Sequence, residues 1–201
     1  MIAAGVIVAY LLGSIPTAVW YGKIFHGVDI RQHGSGNAGA TNSLRTFGKK
    51  AGIIVLLIDF LKGFLAVYSS RLFSDDTFAY LPLLMGVAVI IGHIFPVFAQ
   101  FRGGKGVATA MGVVVGVLPP AALGCLVAFL IIVFLTKYVS LAAMVGALAF
   151  PVQVTFNVWN SLSDKYYIAF SWLLFFILVF THRQNIKRLL SGNENKIGAK
   201  K

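Results

Sequence analysis

The residues able to do chemistry in this chain gather in three polar islands between long apolar runs. The first, GSGNAGATNSLR at residues 34–45, lies in the segment 22–50. Gly34, Gly36 and Gly39 tolerate positive φ, so successive N–H groups can turn toward one point and form an anion nest. Ser35, Asn37, Thr41 and Asn42 add neutral donors there, and Arg45 adds a planar fork suited to phosphate or carboxylate. The plainer alternative is a glycine-rich turn leading into an N-capped helix.

The second island is GHIFPVFAQFRGGKGVAT, residues 92–109. Gly103, Gly104 and Gly106 flank Lys105, and an apolar helix is predicted to start just after. A glycine loop entering a helix N-terminus attracts anions through unpaired N–H groups and the helix dipole. The GxxxxGK[ST] spacing of a nucleotide P-loop is absent. A membrane-edge turn with a snorkelling lysine is the simpler reading, and His93 alone reads as readily as a hydrogen-bonded structural histidine. The third island is the tail, THRQNIKRLLSGNENK at residues 181–196. His182 and Asn185, three apart, are predicted to share a helix face. Arg183, Lys187 and Arg188 with Ile186, Leu189 and Leu190 form a basic amphipathic stretch suited to the membrane interface.

Missing residues narrow the chemistry. No two carboxylates stand at an acid/base or hard-cation spacing. His26, His33, His93 and His182 show no ligand spacing, so no metal site is expected. Cys125 lies in apolar sequence and neither a disulfide framework nor a thiolate site can form. No histidine is followed at the fifth position by Asp, so the His-x-x-x-x-Asp dyad of common glycerolipid acyltransferases is absent. Asp59 and Lys62, at i and i+3 inside an apolar run, read as a buried structural pair, with support of a site as the alternative.

The elements that must position these islands are membrane helices. Of 201 residues, 58% are hydrophobic and 11% charged, with mean hydropathy +0.85; a soluble domain carries about 25% charged residues. Soluble enzymes, disordered tails and secreted disulfide scaffolds are thereby excluded. A hydrocarbon core needs roughly 20 apolar helical residues, which predicts an all-α polytopic membrane protein with seven transmembrane helices. The windows are 2–21, 51–70, 78–98, 106–118, 121–136, 139–158 and 167–181, the fourth and fifth being short and parted by Pro119-Pro120.

Seventeen Lys and Arg against six acids give a formal +11. In so apolar a chain this points to basic cytoplasmic loops or an anionic substrate rather than nucleic acid. With seven spans and the N-terminus outside, fourteen cations fall on the cytoplasmic side and only Arg71 and Lys165 opposite, Lys62 lying within a span. That bias predicts an outside N-terminus and a cytoplasmic C-terminus. The first span lacks a basic n-region and has Gly13, Ser14 and Pro16 in its inner half, so it is not read as a cleavable signal.

Three donor-rich, acid-poor islands at one surface suit the holding of two phosphorylated ligands near lipid, since each phosphate monoester carries about −1.5 to −2 charges. A phosphate or organophosphate transporter would use similar loops. Transporters, however, place binding groups near the midplane, often in inverted repeats. Here the donors crowd one face and the outer loops carry Asp75, Asp76 and Asp164. A non-catalytic lipid-binding subunit would not require three separate donor clusters.

YLLGSIP at 10–16, GSGNAGATNSLR, DFLKG, GHIFPVFAQFRGGKGVAT, YVSLA at 138–142 and HRQNIKRLLSGNENK together resemble the bacterial acyl-phosphate:glycerol-3-phosphate acyltransferase family. The resemblance runs in order over nearly the whole chain. Ala143 departs from the small hydroxyl residue of many members. The resemblance implies a single transmembrane acyltransferase domain over residues 1–201 in the bacterial cytoplasmic (inner) membrane, with its site on the cytoplasmic side. It also implies acyl transfer from acyl phosphate to the 1-hydroxyl of glycerol 3-phosphate, giving lysophosphatidic acid and phosphate, with no cofactor and no acyl-CoA or acyl carrier protein as direct donor. Coupling to the enzyme that makes acyl phosphate is compatible with it.

An acyl phosphate is already activated, so no covalent nucleophile is needed, and alignment with charge stabilisation suffices. On this reading Ser35, Arg45, Lys105 and His182 are the catalytic set. The glycines of both loops, with Asn37, Thr41, Asn42, His93 and Asn185, line the substrates. The proton acceptor is either a substrate phosphate oxygen, with pKa near 6, or His182.

Overall fold

A computed structural model describes residues 1–73, 79–156 and 165–197, and the described residues fold into ten α-helices joined by turns and short 3-10 segments. Asp75, Asp76, Asp164, Lys200, Lys201, the start of the third predicted span at Phe78 and the end of the sixth at Val158 lie outside the described residues. The chain divides into two compact units, Met1–Val117 and Leu118–Lys201.

In the first unit, α1 (Ile2–Gly13) and α2 (Thr17–His26) form one apolar stretch interrupted at Ser14–Pro16, where proline removes a backbone donor. The first donor-rich loop follows and leads into α3 (Ala40–Phe47). Then come α4 (Lys49–Tyr68), α5 (Leu81–Ile94) and α6 (Val107–Val117), with the second donor-rich loop between α5 and α6. On α4 the buried residues are Ala51, Gly52, Val55, Asp59, Lys62, Gly63, Ala66 and Val67, while Ile53, Leu56, Leu57, Leu61 and Leu65 are among the exposed ones. Leucine outside and charge inside is the pattern of a helix whose solvent is lipid.

Glycine sets how closely these helices approach. A Cβ on Gly63 would strike the Thr109 carbonyl of α6, and one on Gly112 the Phe60 carbonyl of α4. Lacking a hydrophobic drive between helices in lipid, small residues let backbones come close enough for dispersion to hold them.

The second unit contains α7 (Pro119–Thr136), α8 (Val139–Thr155), α9 (Lys165–Thr181) and α10 (Arg183–Leu190). Pro119 and Pro120 open α7 rather than forming a corner outside it, because the first helical turn needs no intrahelical N–H there. This fifth apolar helix is therefore 18 residues long instead of short. By length and composition Ile2–His26, Lys49–Leu72, Leu81–Ala99 and Pro119–Thr136 can each cross a membrane. A fifth candidate is α9 with α10 if that pair, bent by 60°, is one span; α6 and α8 are apolar but shorter.

Candidate functional site

Asn42 builds the first loop. It sits in the opening turn of α3 and is 1% exposed. Its Oδ1 accepts from the Ser35 N–H at 2.8 Å, and its Nδ2 donates to the carbonyls of Ile30, His33 and Asn37 at 3.2, 2.9 and 3.0 Å. With donor and acceptor both engaged, this amide holds the loop's shape. Gly34 and Gly36 take φ of +60° and +74°. Gly39 is extended at φ −153°, so the positive φ expected there does not occur.

The expected nest of loop amides is also reduced. The N–H groups of Ser35, Gly36 and Gly39 go to Asn42 Oδ1, the His33 carbonyl and the Asn37 carbonyl. The start of α3 provides instead: no side chain caps it, so its first-turn amides and dipole end form the anion-attracting feature of this loop. Ser35 and Arg45 are exposed beside it, and Asn37 and Thr41 are half-buried.

In the second loop, Gly103 N–H donates to the Ile94 carbonyl and Gly104 N–H to the His93 carbonyl, each at 3.1 Å. Those two amides are paired within the protein, so they are not among the unpaired N–H groups expected of this loop. Only Gly106 of this trio has a left-handed φ, +84°, and it hands the chain directly to α6, with Lys105 half-buried before it. A Cβ on Gly104 would collide with His93 Nε2 and lie 2.7 Å from the Ala38 carbonyl of the first loop. The two islands are therefore packed against one another inside one unit.

His93 is 6% exposed, with Nδ1 3.1 Å from Thr109 Oγ1 and 3.7 Å from Asp59 Oδ1. Ring and main chain both face protein, and its carbonyl positions the Gly103–Gly104 segment. Asp59 and Lys62 pair at 2.8 Å. Thr17 Oγ1 donates to Asp59 at 2.9 Å, and Lys62 Nζ donates to the Ile15 carbonyl at 2.9 Å, at the break between α1 and α2. The pair is structural, and through His93 it also underlies the second loop.

Sequence reasoning missed Asp29 and Arg31. Arg31 forms a fork on Asp29, Nε to Oδ1 at 2.9 Å and Nη2 to Oδ2 at 2.6 Å, while Nη1 donates to the carbonyls of Ala99 at 2.8 Å and Arg102 at 3.3 Å. The side-chain hydrogen bond from Arg31, outweighing the opposing effect of burial, holds the Asp29 carboxyl at about 2. The available signal was an acid two residues from a cation on a face that has almost no acids.

In the second unit, His182 and Asn185 are 3% and 4% exposed. His182 occupies the bend between α9 and α10 as the N-cap residue of α10, and Asn185 lies in the first turn of that helix. His182 Nδ1 donates to the Leu178 carbonyl at 2.8 Å, since a carbonyl can only accept. The neutral ring therefore keeps its lone pair on Nε2. Glu194 collects Ser140 Oγ at 2.8 Å, Asn185 Nδ2 at 2.7 Å and Arg188 Nε at 2.8 Å. Burial pushes this carboxyl up, but hydrogen bonds from Arg188, Asn185 and Ser140 together bring it below its ordinary 4.5.

Comparison with known proteins gives a consistent result. The family model described as glycerol-3-phosphate acyltransferase matches residues 3–192. A glycerol-3-phosphate acyltransferase of Bacillus cytotoxicus is 47% identical over 94% of this chain and 92% of its own length. One of Chlorobaculum tepidum is 39% identical over 96% and 94%. Among solved structures, the glycerol 3-phosphate form of PlsY (YgiH), an integral membrane glycerol 3-phosphate acyltransferase, superposes with TM-score 0.88 at 40% identity, covering 98% of this chain and 96% of that one. Its lysophosphatidic acid form gives 0.85 at 39%, covering 98% and 95%. The all-helical apolar chain with two interlocked donor loops belongs to the glycerol-3-phosphate acyltransferase family of integral membrane enzymes.

Proposed function

We propose that this enzyme transfers a fatty acyl group from acyl phosphate to the 1-hydroxyl of glycerol 3-phosphate, giving lysophosphatidic acid and inorganic phosphate. Neither acyl-CoA nor acyl carrier protein is the direct donor. The hydroxyl oxygen bonds to the acyl carbon, the bond from that carbon to the phosphate oxygen breaks, and the phosphate leaves. The hydroxyl proton passes to His182 Nε2 or to a substrate phosphate oxygen. Products of this type begin phospholipid synthesis.

Ser35, the start of α3, Arg45 and Lys105 hold phosphoryl groups, and Lys105 neutralises the departing phosphate. Thr41, His182 and Asn185 orient glycerol 3-phosphate. Gly34, Gly36, Gly39, Gly103, Gly104 and Gly106, with Asn37, Asn42 and His93, shape the loops. Residues 1–201 act as one functional domain with seven spans, the N-terminus outside and the site at the cytoplasmic face of the inner membrane. Fourteen cations on that side support this orientation. Supply of acyl phosphate couples the enzyme to the one that makes it.

The supporting observation is the contact between the two donor loops at Gly104 and Ala38. It brings a lysine loop and an uncapped helix start into one unit, as two mutually repelling anions require. Purified protein given acyl phosphate and glycerol 3-phosphate is expected to form acylated product and phosphate in equal amounts. Product formation from acyl-CoA or acyl carrier protein, with none from acyl phosphate, would overturn the donor assignment.

A further inference from the structure

Residues 99–102 form a four-residue turn closed by Arg102 N–H on the Ala99 carbonyl at 3.2 Å. Both central residues are left-handed: Gln100 has φ 57° and ψ 38°, and Phe101 has φ 57°. Such a pair of positive φ values defines a type I′-like turn, which normally demands Asn-Gly or Gly-Gly. A bulky residue there is a genuine outlier, and L side chains disfavour the left-handed region through contact with the following carbonyl. The turn is not apt on its own, so something must hold it.

Arg31 is placed to do so. Its Nη1 donates to the carbonyls at both ends of the turn, Ala99 and Arg102. Asp29 fixes the guanidinium from the other side by the two-bond fork, and also accepts the Arg31 backbone N–H at 3.0 Å. Lys23 Nζ stands 3.9 Å from Asp29 Oδ2. Asp29 and Arg31 lie on the first donor loop, and the turn leads within one residue into Gly103, Gly104 and Lys105. We propose that the Asp29–Arg31 clamp is the positioning device that holds the Ala99–Arg102 turn in its strained form and so sets Lys105 against the first loop.

The inference rests on the proposed phosphoryl-binding role of Lys105, but its primary test does not. In detergent-purified protein, trypsin cleavage after Arg102 and Lys105 is expected to be at least about tenfold faster in Arg31→Ala than in the original protein. Arg31→Lys is expected to behave like Arg31→Ala, because an ammonium lacks the planar fork. In acyl transfer, Arg31→Ala is expected to raise KM for both phosphorylated substrates about tenfold while kcat changes much less. Adding Gln100→Gly should recover at least about threefold of that KM, since glycine takes the left-handed conformation without penalty. A merely structural role for Arg31 would give no such rescue.

Unchanged proteolysis with unchanged KM in Arg31→Ala, or absence of the glycine rescue, would overturn the clamp. If Arg31→Ala fails to remain monodisperse, Arg31→Lys and Asp29→Asn decide by the same readouts. Full activity of Lys105→Ala, with loop protection still dependent on Arg31, would overturn the phosphoryl reading and leave the clamp standing.

Discussion

Asn42 Oδ1 receives the Ser35 backbone N–H at 2.8 Å, so one side chain fixes the backbone of the residue expected to touch phosphate. Asn42→Ala would orphan that N–H and remove the side-chain donor from the carbonyls of Ile30, His33 and Asn37, which keep only their backbone partners His33, Gly36 and Gly39. Each unmatched buried group costs about 1–3 kcal/mol, so activity should fall to near background while the membrane helices stay folded. Asn42→Asp should be as damaging, because a carboxylate cannot donate to the carbonyls of Ile30, His33 and Asn37. Activity together with helical content by circular dichroism checks both.

The buried ion pair makes a stability prediction. Lys62→Met leaves the Asp59 carboxylate without its 2.8 Å partner, and breaking a buried pair costs about 3–5 kcal/mol. A lower Tm in detergent is expected, with part of the loss restored by adding Asp59→Asn. No change in Tm for the single variant would contradict the structural reading of the pair.

Much of this was legible in the sequence, for definite reasons. Apolar runs long enough for membrane helices announce themselves by composition, and a helix N-terminus follows each glycine island as expected. Less visible was the use made of each glycine. Gly39 reads as a nest glycine and Gly103 and Gly104 as part of an anion loop, yet none has positive φ, and Gly104 is required because the His93 ring and the Ala38 carbonyl lie where its Cβ would be. Close approach is a tertiary fact with no local signature. The internal partners of His93 and Asn42 were equally hidden, because buried loops need hydrogen-bond partners whose identity is set by tertiary packing. The 60° bend at His182 was hidden because no proline or glycine marks it.

Acid should act through two carboxyls. Asp29 and Glu194 are both held below their ordinary values, Asp29 at about 2. A depressed folded-state pKa contributes stability that is full above the unfolded value and lost as pH falls through the folded one. The loop clamp and the tail contacts should thus be constant from pH 5 to 8. Protection of the second loop from acid-active protease should fall from about pH 4 toward pH 2, and Asp29→Asn should lack that transition.

His182 decides the route of the proton. With Nδ1 on the Leu178 carbonyl, the histidine route would run through Nε2. His182→Ala is then expected to lower kcat by about 10²–10⁴-fold at saturating substrates. A rise confined to KM would assign the proton to a substrate phosphate oxygen and leave His182 an orienting role.

The central claim is that Arg45 and Lys105 hold the two phosphorylated substrates, and the most direct measurement is acyl transfer by Arg45→Ala and Lys105→Ala protein verified as inserted and monodisperse. The account predicts that kcat/KM falls by at least about 10²-fold in each, as loss of a charge-assisted contact to a developing anion would require. Near-normal kcat/KM in both variants would contradict it.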